Sequence, residues 1–132
     1  MKKVRLNLEY PLQVRSANIV WQSISSDHAL QRWLADVVDE RDGKMSFTWG
    51  QPWTAHHTLT AYIVERKPLS HIKFRWVDEE DDEAYWEMRI GKSELTGLVC
   101  IYVTDYALQE DLDDLESLWE DNMERLHTAT GL

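Results

Sequence analysis

Alternation of apolar and polar residues predicts that much of this chain forms β-strands. Val4, Leu6, Leu8 and Tyr10 alternate with polar residues, which is the period-two pattern of a strand that buries one face. Pro11 is expected to close this strand. The same alternation predicts further strands, which carry Met45, Phe47 and Trp49; Ile72, Phe74 and Trp76; Trp86, Met88 and Ile90; and Val99, Ile101 and Val103.

Two further segments complete the predicted sheet. Val37 and Val38 precede Asp42-Gly43, a pair that suits the positive φ angles of a tight hairpin turn. From Thr54 to Val64 the chain is rich in Thr, Ala and aromatic residues, which is typical of a long strand. Together the patterns predict six or seven strands in consecutive antiparallel order.

Helical spacing occurs at two places. After the first strand, Ser16 can cap a helix with an apolar stripe at 17, 20, 21 and 24, and Ser26 or Asp27 can cap a second helix of about two turns. Near the end of the chain, seven residues at helical spacing predict a stripe on a long helix: Leu112, Leu115, Leu118, Trp119, Asn122, Met123 and Leu126. Gly131 is expected to end that helix. The fold class is therefore α+β.

Length and charge limit the functions that this fold could carry. A chain of 132 residues is expected to form a single domain, residues 1–132, with one core. Its 14 Lys and Arg against 24 Asp and Glu give a net charge of −10, which disfavours nucleic acid and acidic membrane surfaces as partners. No stretch has the roughly 20 apolar residues of a membrane span, and Cys100 is the only cysteine. We expect a cytoplasmic protein without membrane insertion.

Several local phrases resemble the small bacterial START-like proteins related to the co-chaperone that activates the ninety-kilodalton heat-shock protein ATPase. These phrases are Leu8-Glu9-Tyr10, Leu34-Ala35-Asp36, Phe47-Thr48-Trp49-Gly50, Ile72-Lys73-Phe74-Arg75-Trp76, Glu94-Leu95-Thr96-Gly97 and Val103-Thr104-Asp105. The predicted order of elements, over the whole chain, is similar to the helix-grip fold of that superfamily, which includes the birch-pollen allergen and the polyketide cyclases. The resemblance implies a curved sheet around the C-terminal helix, with a cavity between them. It does not imply one ligand or reaction.

Candidate catalytic and metal-binding residues are few. The acidic run Asp78 to Glu83 lacks the spacing and the glycine of a calcium loop, and we interpret it as a solvated hairpin tip. His56 and His57 are adjacent in a predicted strand, so their side chains point to opposite faces and are unsuited to one metal. Cys100 is out of register with the Val99 face and is expected to be a packed, unreactive thiol. We therefore predict no catalytic residue, metal or cofactor.

Tryptophan is the most informative residue type, because seven occur in this small chain. They either fill the core or line an aromatic pocket, and both alternatives stay open at this stage. The leading hypothesis is a non-enzymatic domain that binds a small apolar or amphipathic ligand between sheet and helix. Its predicted ligand-binding residues are Trp49, Phe74, Trp76, Trp86, Met88, Leu115 and Trp119.

Two alternatives accompany this hypothesis. In the first, the core is filled and the protein is an interaction or co-chaperone-like module, whose acidic surface, including Asp111, Asp113 and Asp114, meets a basic protein partner. In the second, the protein is a cyclase-like enzyme that uses His57 or Glu87 as acid or base. A continuous cavity would favour the binder, whereas an ionisable group buried inside a cavity would favour the enzyme.

Overall fold

The computed structural model describes residues 2–50 and 57–132. Its seven strands are β1 (Val4–Pro11), β2 (Val37–Arg41), β3 (Lys44–Trp49), β4 (His57–Lys67), β5 (His71–Trp76), β6 (Trp86–Lys92) and β7 (Val99–Ala107). Its helices are α1 (Ala17–Ile24), α2 (Asp27–Leu30) and α3 (Leu112–Thr130), the last preceded by a 3-10 turn (Gln109–Asp111). The predicted α+β, helix-grip architecture is confirmed.

All seven strands form one antiparallel sheet in the order β1-β7-β6-β5-β4-β3-β2. Strands β2 to β7 follow one another as predicted. The first strand does not pair with the second, however; it pairs with the last, from Val4 opposite Ala107 to Pro11 opposite Cys100. The connection that carries α1 and α2 therefore links the two outer strands of the sheet.

The β2–β3 hairpin confirms the predicted Asp-Gly turn. Arg41 pairs with Lys44, so Asp42 and Gly43 form a two-residue loop, with φ angles of 52° and 78°. Positive φ at both positions is what this class of tight hairpin requires. This turn fixes the register that places Met45 and Phe47 on the buried face.

Strand β4 extends further than the sequence pattern predicted. Its expected first residues lie outside the described part of the chain, and it continues to Lys67 instead of ending at Val64. A bulge between Ile63 and Glu65 shifts the register, so that the charged end of the strand still pairs with β5. The polar composition of 65–67 therefore marks an exposed strand end and not a turn.

The predicted helix ends are largely confirmed. The hydroxyl of Ser16 accepts from the Ile19 N–H at 3.4 Å, and that of Ser26 accepts from the Ala29 N–H at 3.2 Å, so both serines are N-caps. Helix α2 is shorter than two turns, although a turn continues to Leu34. Helix α3 ends at Gly131, whose φ is 80° and whose N–H donates to the His127 carbonyl.

The core lies between the concave face of the sheet and the helices. Within α3, the residues Trp119, Asn122 and Leu126 are buried, and Leu115 is partly buried. Leu118, which was predicted to share this stripe, is 51% exposed, because it lies at the edge of the apolar arc. No helix in the described ranges is long and apolar enough to span a bilayer.

The acidic segment between β5 and β6 is more ordered than the predicted solvated tip. Lys3 donates from its ammonium to the Glu79 carboxylate and from its backbone N–H to Asp81, both at 2.7 Å. The Arg75 guanidinium donates to the backbone carbonyls of this segment. The solvated tip is therefore found only in part: Asp78, Glu80, Asp82 and Glu83 are exposed, whereas Glu79 and Asp81 are partly buried and bond Lys3.

Candidate ligand-binding site

A cavity of about 350 Å³ lies between the concave face of the sheet and α3. Four of the described tryptophans line it, three from the sheet and one from the helix: Trp49, Trp76, Trp86 and Trp119. Exposed residues such as His57 and Leu118 also line it, so one side opens to solvent. The volume lies within the range of small-molecule sites, about 300–1,000 Å³.

Register explains why the aromatic rings meet here. Phe74 is opposite Trp86 and Ala61 is opposite Trp76, so these side chains share the inner face and a small residue leaves room for an indole. The Phe74 and Trp86 rings stack with centroids 4.1 Å apart, and the Trp76 ring lies 5.2 Å from that of Trp86. Mutual packing of this kind holds the wall in place before any ligand arrives.

Helix α3 brings the second layer of rings. The centroid of Trp119 lies 6.1 Å from that of Trp86. Leu115, one turn earlier on α3, also lines the cavity. Aromatic contact between sheet and helix was expected from the sequence, and the structure brings these rings together.

The structure divides the seven predicted ligand-binding residues into two groups. Five of them line the cavity, namely Trp49, Trp76, Trp86, Leu115 and Trp119. Phe74 and Met88 are fully buried and lie outside its wall, in the core. Sequence reasoning left several wall residues out of its set, among them Leu34, Phe47, Leu59, Asp105, Tyr106 and Asn122.

Asp105 is the most informative of the omitted residues. Its carboxylate accepts from the Trp119 indole N–H at 2.9 Å and from the Tyr106 backbone N–H at 2.7 Å. Desolvation nevertheless raises the pKa of this carboxyl to about 6, although both hydrogen bonds lower it. The alternation of Val99, Ile101 and Val103 continues to position 105, so the register already carried the signal.

One ring stack and two hydrogen bonds also shape the wall. The ring of His57 stacks on Trp49 with centroids 5.2 Å apart, and the Trp49 indole N–H donates to the Leu34 carbonyl at 3.1 Å. On the helix side, Asn122 is buried and accepts from the Arg125 guanidinium. These contacts hold the side chains of Trp49, His57 and Asn122 in fixed orientations at the wall.

Trp86 differs from Trp49 and Trp119, whose indole N–H groups are hydrogen-bonded. Its N–H is buried and finds no acceptor among the described residues. A buried donor without a partner typically costs about 1–3 kcal/mol. The position of Trp86 in the aromatic wall therefore leaves one buried N–H donor without an acceptor among the described residues.

The residues proposed for acid or base chemistry are separated. Glu87 alternates with Trp86 and Met88, so it lies on the opposite face of the sheet, where it pairs with Arg89 at 3.3 Å. His57 does line the cavity, whereas His56 lies outside the described residues. Only one of the two suggested acid–base residues is thus positioned to touch a ligand.

Cys100 is buried on the face opposite Val99 and Ile101. Burial, reinforced by the nearby Glu9 carboxylate, raises the pKa of its thiol. The thiolate is the nucleophilic form, so this cysteine is poorly suited to nucleophilic attack. Among residues 2–50 and 57–132, no group of three or more His, Cys, Asp or Glu is arranged to hold a metal ion.

A second polar cluster lies at the turn between β4 and β5. The Ser70 hydroxyl is 2.7 Å from His71 Nδ1, and His71 Nε2 bonds the Glu65 carboxylate. This bond lowers the pKa of Glu65. His71 is nearly buried, and these three residues do not line the cavity between sheet and helix. We interpret the cluster as a polar brace that holds the turn.

Comparison with known proteins identifies a family and several structures. A family model described as a START-like superfamily domain matches residues 1–132. A solution NMR structure of a Bacteroides fragilis protein is 35% identical; it covers 97% of this chain and 91% of its own, with a TM-score of 0.65. Comparison with curated proteins finds no match.

Two other similar structures are more distant. The Aha1 dimer from Colwellia psychrerythraea is 10% identical, covers 96% of both chains and has a TM-score of 0.72. An AHSA1-like protein from Aeromonas hydrophila is also 10% identical, covers 96% of this chain and 94% of its own, and has a TM-score of 0.70. At this identity the likeness shows the fold alone.

Proposed function

This chain belongs to the START-like superfamily, and on that basis we propose that it binds a small apolar or amphipathic molecule in the cavity between its sheet and α3. The observation that supports the proposal is the cavity of about 350 Å³ between Trp49, Trp76, Trp86 and Trp119. Large apolar side chains normally fill the space between two layers, since interiors pack to high density. Here four indoles surround a space instead.

The composition of the wall also supports binding. Ligand sites are usually concave, mostly apolar and equipped with a few placed polar groups. The described wall fits this pattern, with indoles and leucines around Asp105, His57 and Asn122. Transfer of an apolar ligand onto these rings would remove water from them, which contributes roughly 25 cal/mol per Å² of buried apolar surface.

A neutral aromatic probe tests the proposal directly. N-phenyl-1-naphthylamine is uncharged and fluoresces strongly in an apolar environment, so it should brighten on binding and raise the melting temperature of the protein. Trp76→Ala removes one wall of the cavity and should abolish the response. Trp21→Ala is the matched control, because Trp21 packs against the core from α1 and does not line the cavity.

The outcome of this test is unambiguous when folding is checked by circular dichroism. An equal response in the wild-type protein and in a folded Trp76→Ala variant would place the probe elsewhere. No response in the wild-type protein, together with no small molecule in native mass spectra of protein from its own host, would contradict ligand binding.

A protein-interaction function is the second candidate. Its support is the run of exposed acidic residues at the start of α3, including Asp111, Asp113 and Asp114, together with the fold shared with the Aha1 dimer. Acidic surfaces of this kind accelerate association with basic partners and weaken in salt. This candidate would be favoured if the wild-type protein captures a basic protein and the Asp113→Lys, Asp114→Lys variant does not, while that variant still binds the aromatic probe.

An enzymatic role depends on Asp105 and His57, which both line the cavity. A carboxyl whose pKa is raised into the neutral range is suited to proton transfer. Mass spectrometry of any bound molecule before and after incubation with the protein separates the two roles. An unchanged mass supports binding, and a product that Asp105→Asn no longer forms supports catalysis.

A further inference from the structure

The described cavity wall carries negative charge without a matching positive side chain. Asp105 contributes a carboxylate, whereas none of the described lining residues is Lys or Arg. Lys3 is the basic residue whose charge lowers the pKa of Asp105, and the Lys3 ammonium already bonds the Glu79 carboxylate at 2.7 Å. Asp105 therefore lacks a cation of its own within the described structure.

The two hydrogen bonds of Asp105 do not use all of its acceptor positions. Trp119 and Tyr106 each occupy one oxygen of the carboxylate, and an ionised carboxylate offers about four acceptor positions. Both existing donors are neutral N–H groups. A charged donor from a ligand would form a shorter and roughly twice as strong bond.

The indoles around this carboxylate favour the same type of ligand. Trp76, Trp86 and Trp119 form one cluster of rings, with centroid separations of 5.2 and 6.1 Å from Trp86. The face of an indole carries negative electrostatic potential and attracts cations, and aromatic cages bind alkylammonium groups in this way. The net charge of −10 of the whole chain adds attraction for cations.

We propose that the cavity selects ligands that carry a protonated amine, with the ammonium group beside Asp105 and the aromatic or hydrocarbon part between the indoles. This inference deepens the proposed function and depends on it. It also excludes a class of ligand: a fatty acid or other carboxylate would bury a second negative charge near Asp105 without a described cation to balance it. Neutral ligands are expected to bind with intermediate affinity.

Three probes with one hydrocarbon skeleton separate charge from shape. Naphthylethylamine is a cation, naphthylethanol is neutral and naphthylacetate is an anion at pH 7.5. We expect isothermal titration calorimetry with the full chain to give an affinity at least about tenfold higher for the amine than for the alcohol, with the anion weakest.

Two variants test the role of Asp105. Asp105→Asn should remove the preference for the amine, so that the amine and the alcohol bind within about twofold of each other. Asp82→Asn is the control with the same change of net charge, because Asp82 is exposed in the acidic segment and does not line the cavity; it should keep the preference. If Asp105→Asn fails to fold, Asp105→Ser takes its place.

The outcomes separate the inference about charge from the proposed function. Tighter binding of the alcohol or the anion than of the amine would overturn this inference and leave the proposed function intact. An equal preference for the amine in the Asp105 variants would have the same consequence. Absence of binding by all three probes would contradict the inference and the proposed function together.

Discussion

The indole N–H of Trp119 donates to the carboxylate of Asp105 over 2.9 Å. This bond joins the last strand of the sheet to the C-terminal helix at the wall of the cavity. Since desolvation raises the pKa of Asp105 to about 6, the two elements meet at a group whose charge changes within the range of ordinary buffers.

Stability should therefore depend on pH through Asp105. The pKa of this carboxyl is about 6 in the folded protein, against an ordinary value of 3.8, so the folded state holds the proton more tightly than the unfolded chain does. The contribution of Asp105 to stability is greatest below pH 3.8, falls as pH rises to about 6, and is constant above it. A pKa difference of this size corresponds to roughly 3 kcal/mol.

Comparison with Asp105→Asn isolates this contribution. Other carboxyls, such as those of Glu40 and Glu79, have lowered pKa values and act in the opposite direction. The difference in unfolding free energy between the wild-type protein and the variant should thus shift in favour of Asn as pH rises from about 4 to about 7, measured by urea denaturation. A difference that stays constant over this range would contradict the buried position of the carboxyl.

Replacement of Trp119 and of Trp86 should show how much the hydrogen bond from Trp119 to Asp105 contributes to the free energy of unfolding. Trp119 and Trp86 are equally buried, but only Trp119 has an acceptor for its N–H among the described residues. Trp119→Phe should cost about 1–3 kcal/mol more than Trp86→Phe at pH 7.5, because it also leaves Asp105 with one donor fewer. Equal losses in chemical denaturation would show that the bond contributes nothing net.

A carboxylate introduced on α3 should destabilise the protein more on the inner face of the helix than at the edge of that face. Leu115 is partly buried against the core, whereas Leu118 is half exposed. Leu115→Asp is expected to lower the unfolding free energy by about 2–4 kcal/mol, since it places a lone carboxylate next to apolar groups. Leu118→Asp should change it by less than about 0.5 kcal/mol. Thermal unfolding that gave the reverse order would contradict the orientation of the helix.

A side chain at position 91 should displace the Tyr102 ring. A Cβ at position 91 would lie 2.1 Å from the Tyr102 ring, which packs over this glycine on the exposed face of the sheet. Gly91→Ala is expected to cost about 1–3 kcal/mol, because the ring must leave this position. In a Tyr102→Ala background the same change should be neutral or stabilising, which a double-mutant cycle would measure. Additive effects would contradict the contact.

The sequence predicted the fold well because the strands alternate cleanly. The period-two pattern of Val4 to Tyr10 and of Trp86 to Ile90 identified inner faces, and Asp42-Gly43 identified a hairpin. Pairing between β1 and β7 could not be predicted this way, because alternation defines the face of a strand and not its neighbour. The bulge in β4 was not predicted either, because the extra residue between Ile63 and Glu65 shows only in the pairing with β5.

The candidate site was predictable only in part. Strand register placed Trp49, Trp76 and Trp86 on the inner face, but register does not tell which inner residues border a space and which fill it. Phe74 has the same register as Trp86 and lies in the core. Asp105 was overlooked because a charged residue interrupts an apolar strand, although its position in the alternation was inward.

The pairing of β1 with β7 also determines the order in which the sheet can be completed. Val4 pairs with Ala107, although nearly all of the chain lies between them. Because pairing of strands so far apart in sequence costs much chain entropy, β1 and β7 are expected to pair late in folding. During synthesis, β1 leaves the ribosome before β7, so it lacks its partner strand until β7 emerges. While β2 to β6 can already assemble, β1 still has an unpaired backbone edge and an uncovered apolar face of Leu6, Leu8 and Tyr10, and both features favour aggregation of a nascent chain.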